Sequence, residues 1–367
     1  MSTSVPTRAI IPLADLKGRG ARTNRESRFD AQVHEVDGDY LDHASAEPEG
    51  AAPATTVTEE RARSIISRNQ SPDIGFDRSI NPYRGCEHGC IYCYARPTHA
   101  YLGLSPGLDF ETRLFAKTNA AELLDRELRK PGYSPALLAL GANTDPYQPI
   151  ERRLRITRAV LEILHAFKHP VGITTKSALV ARDIDLLAEM AAENLAGVFV
   201  SIGTLDNDIA RTLEPRANSP QRRLEAIRRL SQAGIPTGVI VAPLIPTLTD
   251  PDLEKVLEAA AAAGATMAGY TVLRLPLEVR DLFVEWLEAH HPMRAAHVMS
   301  LVRQLRGGRD NDPEFFSRMH GEGALGDLLR RRFDIACRRL GLDRQRRELD
   351  TTRFRVPTAP TAQLTLL

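Results

Sequence analysis

The stretch NPYRGCEHGCIYCYARPTHAYLGL, residues 81–104, sets Cys86, Cys90 and Cys93 in a C-x3-C-x2-C spacing. Gly85 and Gly89 permit tight backbone turns, so the three thiolates can converge on one point. Three thiolates hold three irons of a 4Fe–4S cube and leave the fourth iron open to another ligand. A zinc site competes, with His88 as fourth ligand, because zinc takes four nitrogen or sulfur donors. Inert buried cysteines rarely crowd together beside charged residues. The fourth cysteine, Cys337, falls on an apolar stripe with Phe333 and Leu340 and reads as a core thiol.

Around this segment the chain alternates short apolar runs with helical patterns. Strands are expected near Phe76–Ile80 and at Ala136–Gly141, Val171–Thr175, Gly197–Ile202, Thr237–Ala242 and Gly269–Leu273. Between them, Ser219 reads as a helix cap with Pro220 at the first helical position and Gly234 as the stop. Asp250, Pro251 and Gly264 repeat that grammar. Strands alternating with helices imply parallel crossovers, and six such units predict a partial (β/α)6 TIM-like barrel. The chemistry of such folds sits at the C-terminal ends of the strands. Leu325, Leu329, Phe333, Ala336 and Leu340 then mark a helical stripe. The expected division is a largely disordered or extended segment (1–65), the α/β core (66–289), a helical extension (290–355) and a loose tail (356–367).

Composition narrows the function classes. The 367 residues carry a net charge of +1, which excludes a polycation or an acidic tail protein. Four cysteines are too few for a disulfide scaffold, so a reducing, cytoplasmic setting is expected. The N-terminus has no apolar run of secretory-signal type. The longest charge-free runs, Gly234–Thr249 and Ala259–Leu273, fall short of the roughly 18 residues a membrane span needs. Only six of the 48 basic residues are lysine, which lowers the weight of any arginine cluster and raises that of a placed lysine.

With Tyr92 before the last cysteine, the motif resembles the signature of the radical SAM superfamily, over roughly Phe76 to Pro276. Within it, NPYRGCEHGCIYCYAR, the N-T-D-P-Y-Q-P-x-E segment (143–151) and T-K-S (175–177) resemble a bacterial subgroup of the spore photoproduct lyase-like branch, also described as DNA repair photolyase-like. The resemblance implies a cluster on Cys86, Cys90 and Cys93 whose open iron is chelated by S-adenosylmethionine. It implies reductive cleavage to a 5′-deoxyadenosyl radical that abstracts hydrogen from a substrate, with electrons from a flavodoxin- or ferredoxin-like donor. Asn143, Thr144 and Asp145 would meet the methionine amino end, Lys176 the carboxylate, Ser201 a ribose hydroxyl and Tyr92 the adenine; the stretch Val239–Ala242 would offer backbone bonds to adenine. Ordinary readings stand beside these: a turn for 143–145, a solvated lysine, and tyrosines 83, 92, 94 and 101 packing around a cofactor.

The lyase also uses a downstream cysteine as hydrogen donor, and the matching region here, GANTDPYQP, has none. The sequence therefore departs from spore photoproduct repair as such. Nucleic acid remains a candidate substrate, because Arg294–Arg355 carries 15 arginines against nine acids. A solvated basic face explains those arginines equally. The alternatives are a radical SAM enzyme for a peptide or small molecule, and a zinc-stabilised binding module.

Overall fold

The computed structural model describes residues 18–26, 28–29, 54–342 and 348–357. Its strands are β1 (Thr56–Glu60), β2 (Ile66–Arg68), β3 (Arg78–Ile80), β4 (Tyr83–Arg84), β5 (Arg113–Lys117), β6 (Leu138–Leu140), β7 (Val171–Thr175), β8 (Ala196–Ser201), β9 (Thr237–Leu244) and β10 (Met267–Val272). Six of them, β3-β6-β7-β8-β9-β10, run parallel in sequence order, and β2 pairs antiparallel on the outer edge of β3. The register is continuous, with Val171 opposite Ala196 and Val198 opposite Thr237. Each crossover steps one strand the same way, which is the winding of a partial barrel.

The crossover helices are α1 (Ala120–Leu128), α2 (Ile156–Ala166), α3 (Ile184–Ala192), α4 (Asn207–Leu213), α5 (Pro220–Gln232) and α6 (Leu253–Ala262). All but α4 lay an apolar face on the sheet, while Leu213 of α4 joins a second cluster with Ile91 and Trp286. In α5, Ala226, Ile227 and Leu230 are fully enclosed, Ser219 Oγ accepts from the Arg222 amide, and Gly234 closes the end with φ +76°. Asp250 does not cap α6 as expected. Thr249 precedes a short turn at Asp250–Asp252, and the Asp250 carboxylate accepts from the Thr247 amide (2.5 Å) and Arg332 (3.3 Å).

Three longer helices follow β10, α7 (Val279–His290), α8 (Ala295–Gln304) and α9 (Gly323–Leu340), with a single helical turn at Ser317–His320 before α9. On α9, Leu329, Ala336 and Cys337 join the main core, and Phe333 packs on Tyr270 of β10 with ring centroids 4.7 Å apart. The basic face expected there is partly neutralised. Arg332 pairs with Asp250 and Glu254, and Arg339 with Glu258, all on or beside α6. Arg344, Arg346 and Arg347 lie outside the described residues.

Most of the segment expected to be largely disordered or extended lies outside the described residues, and its described parts are in place against the core. Gly20 and Ala21 pack over the cysteine loop. Strand β1 pairs with β5, which pairs with β4, forming a small second sheet that the sequence pattern did not announce. Among the described residues no helix is long and apolar enough to cross a membrane.

At the N-terminal face of the barrel, Phe354 packs on Phe167, Tyr133 and His169, and the Arg355 amide donates to the Phe167 carbonyl. His169 is fully enclosed, with Nε2 2.8 Å from the Tyr133 hydroxyl. Burial lowers its pKa from 6.5 to about 4. Below pH 6.5 the unfolded chain takes up a proton that the folded site refuses. The stability linked to His169 is therefore complete above 6.5 and lost as the pH falls toward 4. Urea midpoints measured across that range should decline in the native protein and decline less steeply in H169F.

Candidate active site at the cysteine loop

The cysteine loop fills the connection between β3 and β6, at the C-terminal ends of the parallel strands. Gly85 (φ +75°) and Gly89 (φ +67°) turn it in the left-handed region, as their positions beside the cysteines predict. The Cys93 amide donates to the Cys90 carbonyl at 3.1 Å, and the Cys86 amide to the Phe110 carbonyl at 2.9 Å. Cys86 and Cys93 share a small apolar cluster with Ala95 and Phe110. Burial pushes all three thiols up. A bound metal centre reverses that by holding the sulfurs as thiolates.

The loop is fixed from within by Arg96. Its guanidinium is fully enclosed and donates to the carbonyls of Gly89 (3.1 Å), Cys90 (2.9 Å), Pro106 (3.1 Å) and Gly107 (2.9 Å), and to Glu111 at 2.5 Å. Glu111, also fully enclosed, accepts from the amides of Gly20 (2.9 Å) and Ala21 (2.8 Å). That contact clamps the N-terminal segment over the loop. A Cβ on Gly20 would fall 1.8 Å from the Gly89 carbonyl oxygen, so only glycine lets the two backbones approach this closely. Gln148 adds a second brace, accepting from the Glu87 amide (2.9 Å) and donating to the Gly85 carbonyl (3.1 Å).

The strand ends are tied to this loop through Asp145. One carboxylate oxygen accepts from the Thr175 hydroxyl (2.7 Å) and the Tyr147 amide (2.9 Å); the other accepts from the Lys176 amide (2.7 Å) and lies 3.4 Å from His88 Nδ1. Burial alone would raise its pKa, but His88 and these hydrogen bonds overcome it and hold Asp145 down at about 2. His88 is thereby turned toward Asp145. Thr144 is buried and donates to the Tyr83 carbonyl at 2.9 Å, so its hydroxyl faces into the fold. The Asn143 amide donates to the Asn81 side chain at 3.1 Å.

Lys176 leaves the end of β7 half-buried, its Nζ 5.9 Å from the Tyr92 ring centroid. Burial works against its charge, yet Cys90, Glu214 and Asp145 outweigh that and hold its pKa above the ordinary lysine value. Glu214 makes no hydrogen bond to it among those the structure shows. One Glu214 oxygen accepts from the Tyr92 hydroxyl and the other from Arg223, which also donates to the Ser201 carbonyl (2.9 Å) and the Asn218 carbonyl (2.7 Å). Ser201 is buried, with its hydroxyl 3.4 Å from the Ala242 carbonyl.

The structure thus brings the three cysteines, Tyr92, Asp145, Lys176 and Ser201 to one end of the barrel. Sequence reading missed Arg96, Glu111, Glu214 and Arg223. Gln148 sits in the quoted 143–151 segment without having been given a role. Three sulfurs on one loop are a donor set that fits a 4Fe–4S cluster, and His88 turns its Nδ1 to Asp145 rather than to the cysteines. Among the described residues, no three His, Cys, Asp or Glu side chains, the three cysteines included, stand close enough to hold a single metal ion. An ammonium with no hydrogen-bonded acceptor among the described residues, beside the sulfurs, suits an anionic cofactor group.

A family model described as the Radical SAM superfamily matches residues 80–260. An uncharacterized protein of Mycobacterium tuberculosis is 42% identical over 233 residues, covering 62% of this chain and 68% of its own. An uncharacterized protein of Methanocaldococcus jannaschii is 28% identical over 190 residues, covering 52% and 68%. A solved point mutant of spore photoproduct lyase shares the fold with a TM-score of 0.57 at 15% identity, covering 78% of this chain and 80% of that one.

The Arg96–Glu111 pair makes a prediction of its own. Replacing Glu111 with Ala strands a buried guanidinium and should cost about 3–5 kcal/mol in urea unfolding. The double variant R96M/E111L should recover much of that stability but bind less iron on reconstitution. Equal iron content in the double variant and the native chain would show that the pair does not place the cysteines.

Proposed function

The chain belongs to the radical SAM superfamily and is an enzyme, and we propose that Cys86, Cys90 and Cys93 hold its 4Fe–4S cluster with S-adenosylmethionine bound alongside. The observation that carries this reading is the braced three-thiol loop with the Lys176 ammonium beside it. Held there, a reduced cluster and S-adenosylmethionine would supply radical chemistry able to abstract hydrogen from a substrate.

The chain's own residues bind and orient. Lys176 receives the methionine carboxylate as a compact point charge, kept protonated by the Cys90 and Glu214 field. The side chain of Asn143 serves the methionine amino end. Asp145 and Thr144 act one step back: their oxygens are engaged by protein groups, so they set the strand-end loops rather than hold the cofactor themselves. Tyr92, fixed by Glu214, offers its ring to adenine, and the end of β8 at Ser201 offers the ribose a partner. Core residues 66–289 carry this chemistry, with 290–355 as the helical extension, in which Phe333 of α9 packs on Tyr270 of β10. We take the electron source to be a flavodoxin- or ferredoxin-like protein in the cytoplasm, and nucleic acid to be the leading substrate class.

Anaerobic reconstitution tests the reading. The native protein should turn brown with four irons per chain and cleave S-adenosylmethionine when reduced. C90A should lose the cluster spectrum. K176M should keep the spectrum but bind S-adenosylmethionine about tenfold more weakly. A colourless protein with one tight zinc would overturn the assignment.

A further inference from the structure

Buried arginines in this fold find partners. Arg96 ends on Glu111, Arg223 on Glu214 and Arg318 on Asp73, while Arg306 donates to the carbonyls of Leu273 (2.6 Å) and Arg318 (2.8 Å). Arg274 is different. It stands two residues beyond β10, at the end of the barrel that holds the cysteine loop. Nε of Arg78 and of Arg306 also lacks a hydrogen-bond partner, but their Nη atoms reach carbonyls; in the half-buried Arg274 Nε is unpartnered and Nη1 meets only the Met319 sulfur, at 3.9 Å, among the described residues. A thioether is a weak acceptor.

The carboxylates in its field are spent. Asp73 takes Arg318 at 2.6 and 2.7 Å and the Phe316 amide at 3.2 Å. Asp312 takes the Ser317 hydroxyl (2.5 Å), the Glu314 amide (3.0 Å) and Arg309 (3.3 Å). Burial and the Arg318 charge push the Arg274 pKa down, the mark of a cation without its counter-ion.

The surroundings say what that counter-ion belongs to. The Arg274 guanidinium carbon lies 5.7 Å from the centroid of Tyr94, the residue following Cys93, and the Tyr94 hydroxyl donates to the Ala142 carbonyl beyond β6. Tyr94 therefore spans from the β6 end toward the β10 end, across the open side of the barrel. It is 47% exposed. Phe315 and Phe316, on the segment that carries Met319, are 48% and 66% exposed. An unpaired fork beside the exposed Tyr94 ring matches a phosphate next to a stacking base. An aliphatic carboxylate would leave that ring without a role.

We propose that Arg274 is the anion-recognition residue of the substrate site, taking a phosphate of a nucleotide substrate while the neighbouring Tyr94 ring takes its base. This deepens the radical SAM reading of the cysteine loop and rests on it for the word substrate.

The test is fluorescence anisotropy on the reconstituted full chain with a labelled single-stranded oligodeoxynucleotide, repeated by competition with thymidine monophosphate. R274Q should weaken binding about tenfold and lower the salt slope by about one. R338Q, on the exposed side of α9, should leave both unchanged. Loss of affinity for both probes in R274Q supports the proposal with a strand as the natural source. Loss for the monophosphate, with no strand binding by the native chain, supports it with a free nucleotide. Unchanged affinity in R274Q, no binding of either probe by the native chain, or tighter capture of an acidic peptide in the same assay, overturns it. The cluster spectrum and S-adenosylmethionine cleavage report separately. If they persist while phosphate binding fails, only Arg274 is wrong. If Arg274-dependent binding persists in a protein that forms no cluster, only the radical SAM reading is wrong.

Discussion

Arg96 and Glu111 bury two opposite charges with no exposed surface on either side chain. Such a pair is seldom retained for stability alone, since apolar residues of similar volume often do as well or better. Here every contact of the pair leads to the position of one loop. Five acceptors fix the guanidinium: the carbonyls on either side of Cys90, two carbonyls of the 106–107 turn, and Glu111. The carboxylate passes the constraint to Gly20 and Ala21. Three sulfurs on a mobile loop would occupy many arrangements, and ordering them would draw on the free energy of metal binding. The buried pair does that ordering in advance.

A second layer of charge couples the loop to the barrel. Asp145 joins the β6 end, the β7 end and His88, so a shift of one strand end moves the cysteine loop with it. Glu214 does the same for the β8 end through Arg223 and for the motif through Tyr92. Both carboxylates stay charged while buried, because cations and hydrogen-bond donors outweigh desolvation. The polar interior at this end is one connected lattice, which makes each member sensitive to the loss of another.

What was legible in the sequence is what depends on near neighbours in the chain. Strand β7 appears at Val171–Thr175 as expected, because alternating buried positions and flanking turns are local signals. Ser219 and Gly234 likewise bracket α5. The cysteine spacing was legible because the turns around Gly85 and Gly89 are local too. Arg96 and Glu111 were not, because in an arginine-rich chain each resembles an ordinary surface charge and only the folded loop joins them. Glu214 and Arg223 flank a turn between α4 and α5 and carry no periodic mark. The clamp of Gly20 and Ala21 on Glu111 spans about ninety residues, and nothing in a polar N-terminal segment announces such a partner. The Asp250 cap failed for a related reason: Arg332, eighty-two residues away, and the Thr247 amide compete for its carboxylate.

The contrast between lysine and arginine at the strand ends follows from the same lattice. A guanidinium carries five donors in a rigid fork, and beside Glu214 it is captured, as Arg223 is. A second arginine in place of Lys176 would compete for the same carboxylate or displace the Tyr92 hydroxyl. An ammonium on a flexible stem interacts with Glu214 through the field alone and leaves its donors unspent. The chain uses lysine six times in 367 residues, and one of those six stands at a strand end with no hydrogen-bonded acceptor among the described residues. The composition that devalued its arginines as functional signals is therefore what gives this lysine its meaning.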